Sequence, residues 1–294
     1  MTGKARAMLR LMRPTQWIKN GFVLIPLVFS KNLLQMDSVS RSALAFLVFT
    51  LITSFLYVAN DWRDVESDRQ HPKKRLRPLA AGTVTTGEAA LMLIALAGVT
   101  VALLALLRPG WSFAGVAGLY AAVSLSYSLG LKHVQLLELF IVASGYVLRV
   151  IAGSIVLAVE PSPWILAASG LVAFLITAGK RRADIADNLD PNNNRRSLAG
   201  YSVAYLDHVI AIAAGMTILA YILFTASDYA ASRFHSQYLI GTGVFVAYGV
   251  LRYLQLVMLG EGADDPTSLI VRDAPLMMSV ALWGLSIFVI IYLL

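Results

Sequence analysis

The 294-residue chain contains no cysteine. That excludes a disulfide framework and any thiolate-ligated metal, and leaves the redox compartment open. Charge is scarce too: Asp, Glu, Lys and Arg make up 14% of residues against 58% hydrophobic ones, and mean hydropathy is +0.70. A soluble domain carries about 25% charged residues, so this composition excludes an ordinary soluble globule and reads as an integral membrane protein. The four histidines, His71, His133, His208 and His235, show no spacing that pairs them for acid–base work or zinc. No small-residue cleavage site follows the first apolar run, "GFVLIPLVF", which reads as a retained segment rather than a secretory leader.

What the chain has in quantity is long apolar runs. A membrane-crossing helix needs about 20 predominantly apolar residues. Stretches that meet or approach this lie at 16–34, 41–59, 87–107, 111–130, 135–157, 163–180, 205–226, 238–258 and 275–294. The expected fold is all-α, a polytopic membrane protein of about nine transmembrane helices in one integral-membrane domain, 1–294. The 16–34 stretch is the weakest, because Lys19 and Asn20 sit in its opening turn and Pro26 interrupts it.

Basic residues orient the chain. One set of alternate loops holds Lys4, Arg6, Arg10, Arg13 and Lys19, then Arg63, Arg69, Lys73, Lys74, Arg75 and Arg77, then Lys132, Lys180, Arg181, Arg182, Arg195, Arg196 and Arg272. The other holds only Lys31, Arg41, Arg108 and Arg233. The first set, and the amino terminus with it, is therefore cytoplasmic, and an odd count of spans puts the termini on opposite sides. The net charge of +7 first signals this topology, not nucleic-acid binding. Before the first span "ARAMLRLMRPTQW" alternates bases with Met8, Leu9, Leu11 and Met12, so that 1–15 fits either a short interfacial helix or a plain topology signal.

The polar residues gather at two places, about 60–86 and 180–204. Asn60, Asp61, Asp64 and Asp68 close the second apolar run, and the three aspartates stand at i, i+3 and i+7, along one face of a helix. Like charges so placed repel unless they are neutralised, and a divalent cation does this. Magnesium suits the pattern: it takes hard oxygen ligands and links one or two carboxylates to substrate phosphates. Lys74, Arg75 and Arg77 follow within a few residues, as a diphosphate requires, with metal and cations sharing its charge. The sixth run ends in a second mixture, "AGKRRADIADNLDPNNNRR", which echoes the first and suggests two related helical halves. Carboxylates at one membrane face, not the midplane, argue against a transporter.

Arg149 lies inside the fifth run, where an ionisable residue is expensive and a functional candidate by default. With Tyr146 one turn earlier it either meets a phosphate of donor or lipid, or forms a buried pair, with Glu138 for example. Arg252 lies nearer a helix end, and snorkelling accounts for it as well as function does.

"NDWRDVESD" followed by "RPLAAG" resembles the first signature of the UbiA-type intramembrane prenyltransferase superfamily. Within it, "RPTQWIKN", "DVESDRQHPKKRLRPLAAG", "LGLKH", "LRVIAG", "AGKRRAD" and "RRSLAGYSVAYL" are similar to the decaprenyl-phosphate phosphoribosyltransferase branch. The resemblance implies helices around a central cavity, magnesium as cofactor, and transfer of phosphoribose from phosphoribosyl diphosphate to a polyprenyl phosphate for arabinan precursor synthesis. It implies that Asp61, Asp64 and Asp68 hold magnesium and, with Asn60, the diphosphate, and that Lys74, Arg75 and Arg77 contact its oxygens. Lys19 and Asn20 match the branch's first polar motif, and Lys180 and Asp184 its second. The chain departs from aromatic prenyltransferases, which show a second D-x-x-x-D-type motif where this one has Asp184, Asp187 and Asp190 behind three bases. Transfer of a polyprenyl group from its diphosphate to an aromatic or other small acceptor is the alternative that uses the same first motif. The expected setting is the cell membrane with the site cytoplasmic; nothing in the sequence forbids a homo-oligomer.

The absence of cysteine makes the orientation directly measurable. A single cysteine at Lys73 should react with an impermeant maleimide only in inverted vesicles, and one at Arg108 only from outside intact cells; the opposite pattern would reverse the topology.

Overall fold

The computed structural model describes residues 3–72, 74–107, 110–186, 200–234, 238–261, 269 and 272–294. Among them there is no strand, and the chain divides into two compact units. The first comprises residues 1–128 and 148–159, the second 129–147 and 160–294.

The first unit opens with α1 (Gly3–Leu11), a 3-10 segment (Pro14–Leu24) and α2 (Ile25–Phe29). Then come α3 (Met36–Arg63), α4 (Val65–Gln70), α5 (Thr86–Leu106), α6 (Gly110–Leu129) and the second half of α7 (Leu137–Val156). Its core joins Val23, Val48, Phe49, Phe113, Tyr120 and Ala152. A second cluster seats Ala7 and Leu11 of α1 against Val58, Ala89 and Leu96. Lys4 pairs with Glu88, which also closes a capping box with Thr85 at the start of α5. The amphipathic amino terminus thus buries one edge against its own unit and leaves Arg6, Leu9 and Arg10 exposed.

The second unit contains the first half of α7, then α8 (Pro163–Ala186), α9 (Val203–Thr225), α10 (Asp228–Phe234), α11 (Gly243–Met258) and α12 (Ala274–Phe288). Leu139, Leu175, Leu206, Ile210, Tyr253 and Leu256 form its core.

Eight helical stretches among the described residues are long and apolar enough to cross a membrane. Only 11% of the most apolar part of α5 is buried inside the protein, while Leu91, Ile94, Val101 and Leu106 face outward. A helix apolar all round and largely uncovered needs lipid as its partner. The protein is a multi-pass membrane protein.

The ninth expected stretch, 16–34, departs from a regular helix. Pro14 opens it, and Pro26 has no N–H to donate four residues back, so the chain winds as eleven residues of 3-10 and then five of α. At about 2.0 Å rise per 3-10 residue and 1.5 Å per α residue, this reaches about 30 Å, the thickness of a bilayer core. It also runs unusually close to α7. A Cβ on Gly153 would collide with the carbonyl oxygen of Val23, so only glycine fits there.

Gly153→Ala should therefore force the two backbones apart and cost about 1–3 kcal/mol, as overpacking does. Thermal unfolding in detergent would show it as a clear fall in Tm, and an unchanged Tm would contradict the close approach.

Candidate active site

The last turn of α3 carries Asn60, Asp61 and Arg63, and the chain bends at Asp64 (φ −91, ψ 7) into α4. Helical hydrogen bonds cross the bend: Asp64 N–H donates to Asn60 O and Asp68 N–H to Asp64 O, both at 2.9 Å. Seven residues make nearly two full turns, so Asp61 and Asp68 share a face, whereas a three-residue step falls about 60° aside. Asp61 and Asp68 are accordingly both buried, each 4% exposed. Asp64 turns to its neighbour Arg63, whose Nε donates at 2.9 Å. The expectation of three carboxylates on one face thus resolves into two together and one to the side.

One guanidinium joins the buried pair. Arg77 Nη1 donates to Asp68 Oδ2 at 2.7 Å and to Asp61 Oδ1 at 3.1 Å. Arg13 Nη2 also donates to Asp61 Oδ1, at 2.7 Å, and its guanidinium lies 4.6 Å from the centre of the Tyr57 ring. Two cations therefore balance two carboxylates that could not stay charged in an apolar setting alone. Arg13 holds a left-handed backbone (φ 53, ψ 65) between α1 and Pro14. Met12 O beside it accepts from Trp17 Nε1 at 3.1 Å and from Ser54 Oγ at 3.4 Å, which holds the bend. Strain of this kind persists where the surroundings fix it.

The sequence marks Arg13 as a topology signal and as the first residue of "RPTQWIKN", but not its place in this cluster. Its position at the start of that stretch and before Pro14, where a residue is turned away from helix, are the available hints.

The other expected residues fall in separate places. Asn60 Nδ2 donates to Ser128 Oγ at 3.0 Å. Lys74 and Arg75 make no side-chain hydrogen bond or ion pair to another described residue, and Arg75 is exposed. Lys19 is half-buried in the 3-10 segment, next to the fully buried Asn20. Asn20 Oδ1 accepts from Arg149 Nε at 2.9 Å while its Nδ2 faces Thr50 and Thr53, each at 3.2 Å. Arg149 Nη2 donates to Tyr120 OH at 2.7 Å, with the guanidinium 4.4 Å from that ring's centre. Tyr146 is buried on α7.

In the second unit Lys180 is exposed, and Asp184 Oδ2 accepts from Arg181 Nη1 at 2.9 Å. Arg181 Nε reaches both oxygens of the fully buried Glu138, at 2.9 and 3.0 Å. Glu138, weighed as a partner for Arg149, thus serves Arg181. Arg182 Nε donates to Asp207 Oδ1 at 2.6 Å, tying α8 to α9. Asp187 and Asp190 lie outside the described residues. Arg252 donates to both oxygens of Asp273, at 2.7 and 3.2 Å, and Asp273 also caps α12 by accepting from Leu276 N–H. Hydrogen bonding from Arg252 holds the Asp273 carboxyl below the usual carboxylate range. A specific pair, and not snorkelling, explains Arg252.

Among the described residues no group of three or more His, Asp or Glu comes together as metal ligands. Two carboxylates do converge, which is the number magnesium commonly takes from protein beside substrate phosphates. The arginine contacts engage one oxygen of each, leaving Asp61 Oδ2 and Asp68 Oδ1 without a hydrogen bond to a described residue. The donor set therefore fits a magnesium ion shared with a phosphorylated substrate.

The profile of the UbiA prenyltransferase family matches residues 23–292, across both units. The chain belongs to this family. It is accordingly a membrane-embedded transferase. Among relatives of this UbiA chain, the decaprenyl-phosphate phosphoribosyltransferase of Corynebacterium glutamicum is 33% identical over 98% of this chain and 88% of its own. The protein of the same name from Mycobacterium tuberculosis is 34% identical over 93% and 90%. A UbiA homologue from Archaeoglobus fulgidus, solved with GPP and Mg2+, superposes with a TM-score of 0.69 over 97% of this chain and 99% of that one. At 19% identity this last likeness speaks for the fold alone.

Glu138→Ala should take the buried carboxylate from Arg181, leaving it Asp184, and destabilise the protein by up to about 3–5 kcal/mol, whereas the double replacement Glu138→Leu with Arg181→Leu should recover much of the loss. Unfolding midpoints of the three proteins check this; equal loss in single and double variants would show that the pair is no unit.

Proposed function

We propose that this chain transfers 5-phosphoribose from phosphoribosyl diphosphate to a polyprenyl phosphate of decaprenyl type, releasing diphosphate. The observation that carries this reading is 33–34% identity, over nearly the whole chain, to proteins named decaprenyl-phosphate phosphoribosyltransferase. The paired aspartates among cations support it, because both substrates are phosphorylated and the leaving group is a diphosphate.

Asp61 and Asp68 would hold magnesium, with Asp64 beside them. Bound there, the ion supplies positive charge to a departing diphosphate. The protein's part is electrostatic and positional. Arg77, Lys74 and Arg75 meet the diphosphate oxygens, where negative charge grows as the bond breaks. The C1–O bond to diphosphate breaks with its electron pair on the leaving oxygen. A lipid phosphate oxygen forms the new bond to C1 from the opposite face, which predicts inversion. A phosphate anion is already nucleophilic, so no proton has to be removed and no general base is required. Arg149, beside Asn20, together with Tyr146, Lys19, Lys180 and Asp184, provides further contacts for the two substrates.

On this reading the substrates meet at the cytoplasmic face of the cell membrane, where the soluble sugar donor is found. The lipid-linked product serves cell-envelope arabinan synthesis.

Membranes containing the protein, given labelled phosphoribosyl diphosphate, polyprenyl phosphate and magnesium, should pass label into the lipid phase. Chelation should stop this, and Asp61→Ala or Asp68→Ala should lower turnover by about 100-fold or more, as loss of a transition-state charge partner does. No labelled lipid, with an aromatic prenylated from polyprenyl diphosphate instead, would overturn the assignment.

A further inference from the structure

The two arginines at the aspartate pair are held in different ways. Arg13 is fixed from several sides: its backbone bend is clamped through Met12 by Trp17 and Ser54, and its guanidinium rests on Tyr57. Of the two aspartates it bonds to Asp61 and not to Asp68. Arg77 follows a short turn, Lys74–Leu76, and its side chain is as exposed as that of Arg13, 32% against 31%, so the two differ in their partners and not in exposure. One nitrogen, Nη1, serves both carboxylates, at 2.7 and 3.1 Å. Of the contacts with described residues, Asp68 has no side-chain partner other than Arg77.

A guanidinium spanning two carboxylates and a divalent ion shared by them make the same demand on the same charges. Both are cations, and the space between Asp61 and Asp68 that Nη1 occupies is where a shared ion draws its charge balance. Seating the ion therefore weakens the hold of the pair on Arg77, while Arg13 keeps its own contact on Asp61. A partly exposed arginine released beside a metal-bound diphosphate finds a better partner there, since its planar fork matches phosphate oxygens.

We propose that Arg77 is an exchangeable counter-ion of the site: a divalent cation competes with it for Asp61 and Asp68, and the displaced guanidinium turns to the donor's diphosphate. The inference rests on the function proposed above and adds an order to it, with metal first and the Arg77–diphosphate contact after. It also separates Arg77 from Arg13, which remains a positioning residue for Asp61.

Exchange predicts effects of opposite sign from one substitution. Arg77→Gln removes the competitor, so the protein without substrate should bind Mn2+ about tenfold more tightly, a shift of about 1.4 kcal/mol. The same variant lacks the donor contact, so its KM for phosphoribosyl diphosphate at saturating metal should rise about tenfold. Arg77→Lys keeps the charge but bridges two carboxylates less well, and should fall between in both measurements. Arg69→Ala removes a nearby cation that pairs with Glu66 and should change Mn2+ affinity by less than about twofold.

The experiment is titration of purified protein in detergent with Mn2+, followed by electron paramagnetic resonance of the free ion, alongside steady-state kinetics. Tighter Mn2+ binding with a raised donor KM is the expected result. Looser or unchanged Mn2+ binding in both Arg77 variants would make Arg77 a brace or a plain phosphate ligand and overturn the exchange. Tighter binding with an unchanged KM would overturn the handover to diphosphate. Wild-type protein whose Mn2+ binding is absent, or is unaffected by Asp61→Asn, would sink the reading of these aspartates as the metal seat, and the exchange with it.

Discussion

Two buried carboxylates facing one guanidinium set the terms for this half of the molecule. Asp61 and Asp68 sit two turns apart at the mouth of a membrane helix, where an unpaired charge would cost several kcal/mol. Arg77 and Arg13 make the charged state tolerable, and each imposes a structural requirement to do so. The segment after α4 must double back to deliver Arg77, and the amino-terminal helix must break in a left-handed bend to deliver Arg13. The placement of α1, the start of the 3-10 segment and the turn after His71 can all be read as consequences of neutralising two aspartates.

The second unit follows a related logic with another outcome. Three consecutive cations, Lys180 to Arg182, lie one turn before the end of α8, and the helical step of about 100° sends each in its own direction. Arg181 goes inward to Glu138, Arg182 goes to Asp207 on α9, and Lys180 stays exposed. Two of these three bases thus also join helices. Charge here supports packing with residues that the sequence presents as topology signals.

Much of the fold was legible in advance because lipid imposes a one-dimensional rule. Apolar runs of sufficient length declare themselves without knowledge of partners, and eight of the nine appear as helices. The acidic signature was legible for a similar reason: Asp61 and Asp68 meet through local helical register alone. What stayed hidden depends on contacts between distant parts of the chain. Arg13 and Asp61 are 48 residues apart, and Arg181 and Glu138 are 43 apart. No local period reports such pairs. Asp64 was placed too close to its companions because a three-residue step was treated as equivalent to a seven-residue one. The 3-10 winding escaped notice because hydropathy measures composition and not rise per residue.

That winding has a mechanical meaning. Arg13 is fastened to the end of α3, and Val23 is pinned against α7 at Gly153, so the stretch between them spans two anchored points. Rewound as an α-helix it would shorten by about 0.5 Å per residue, a total near 5 Å, comparable to the reach of an arginine side chain. The backbone here acts as a spacer of fixed length, and a lapse in its pitch would lift a cation off its carboxylate without altering a single residue of the site.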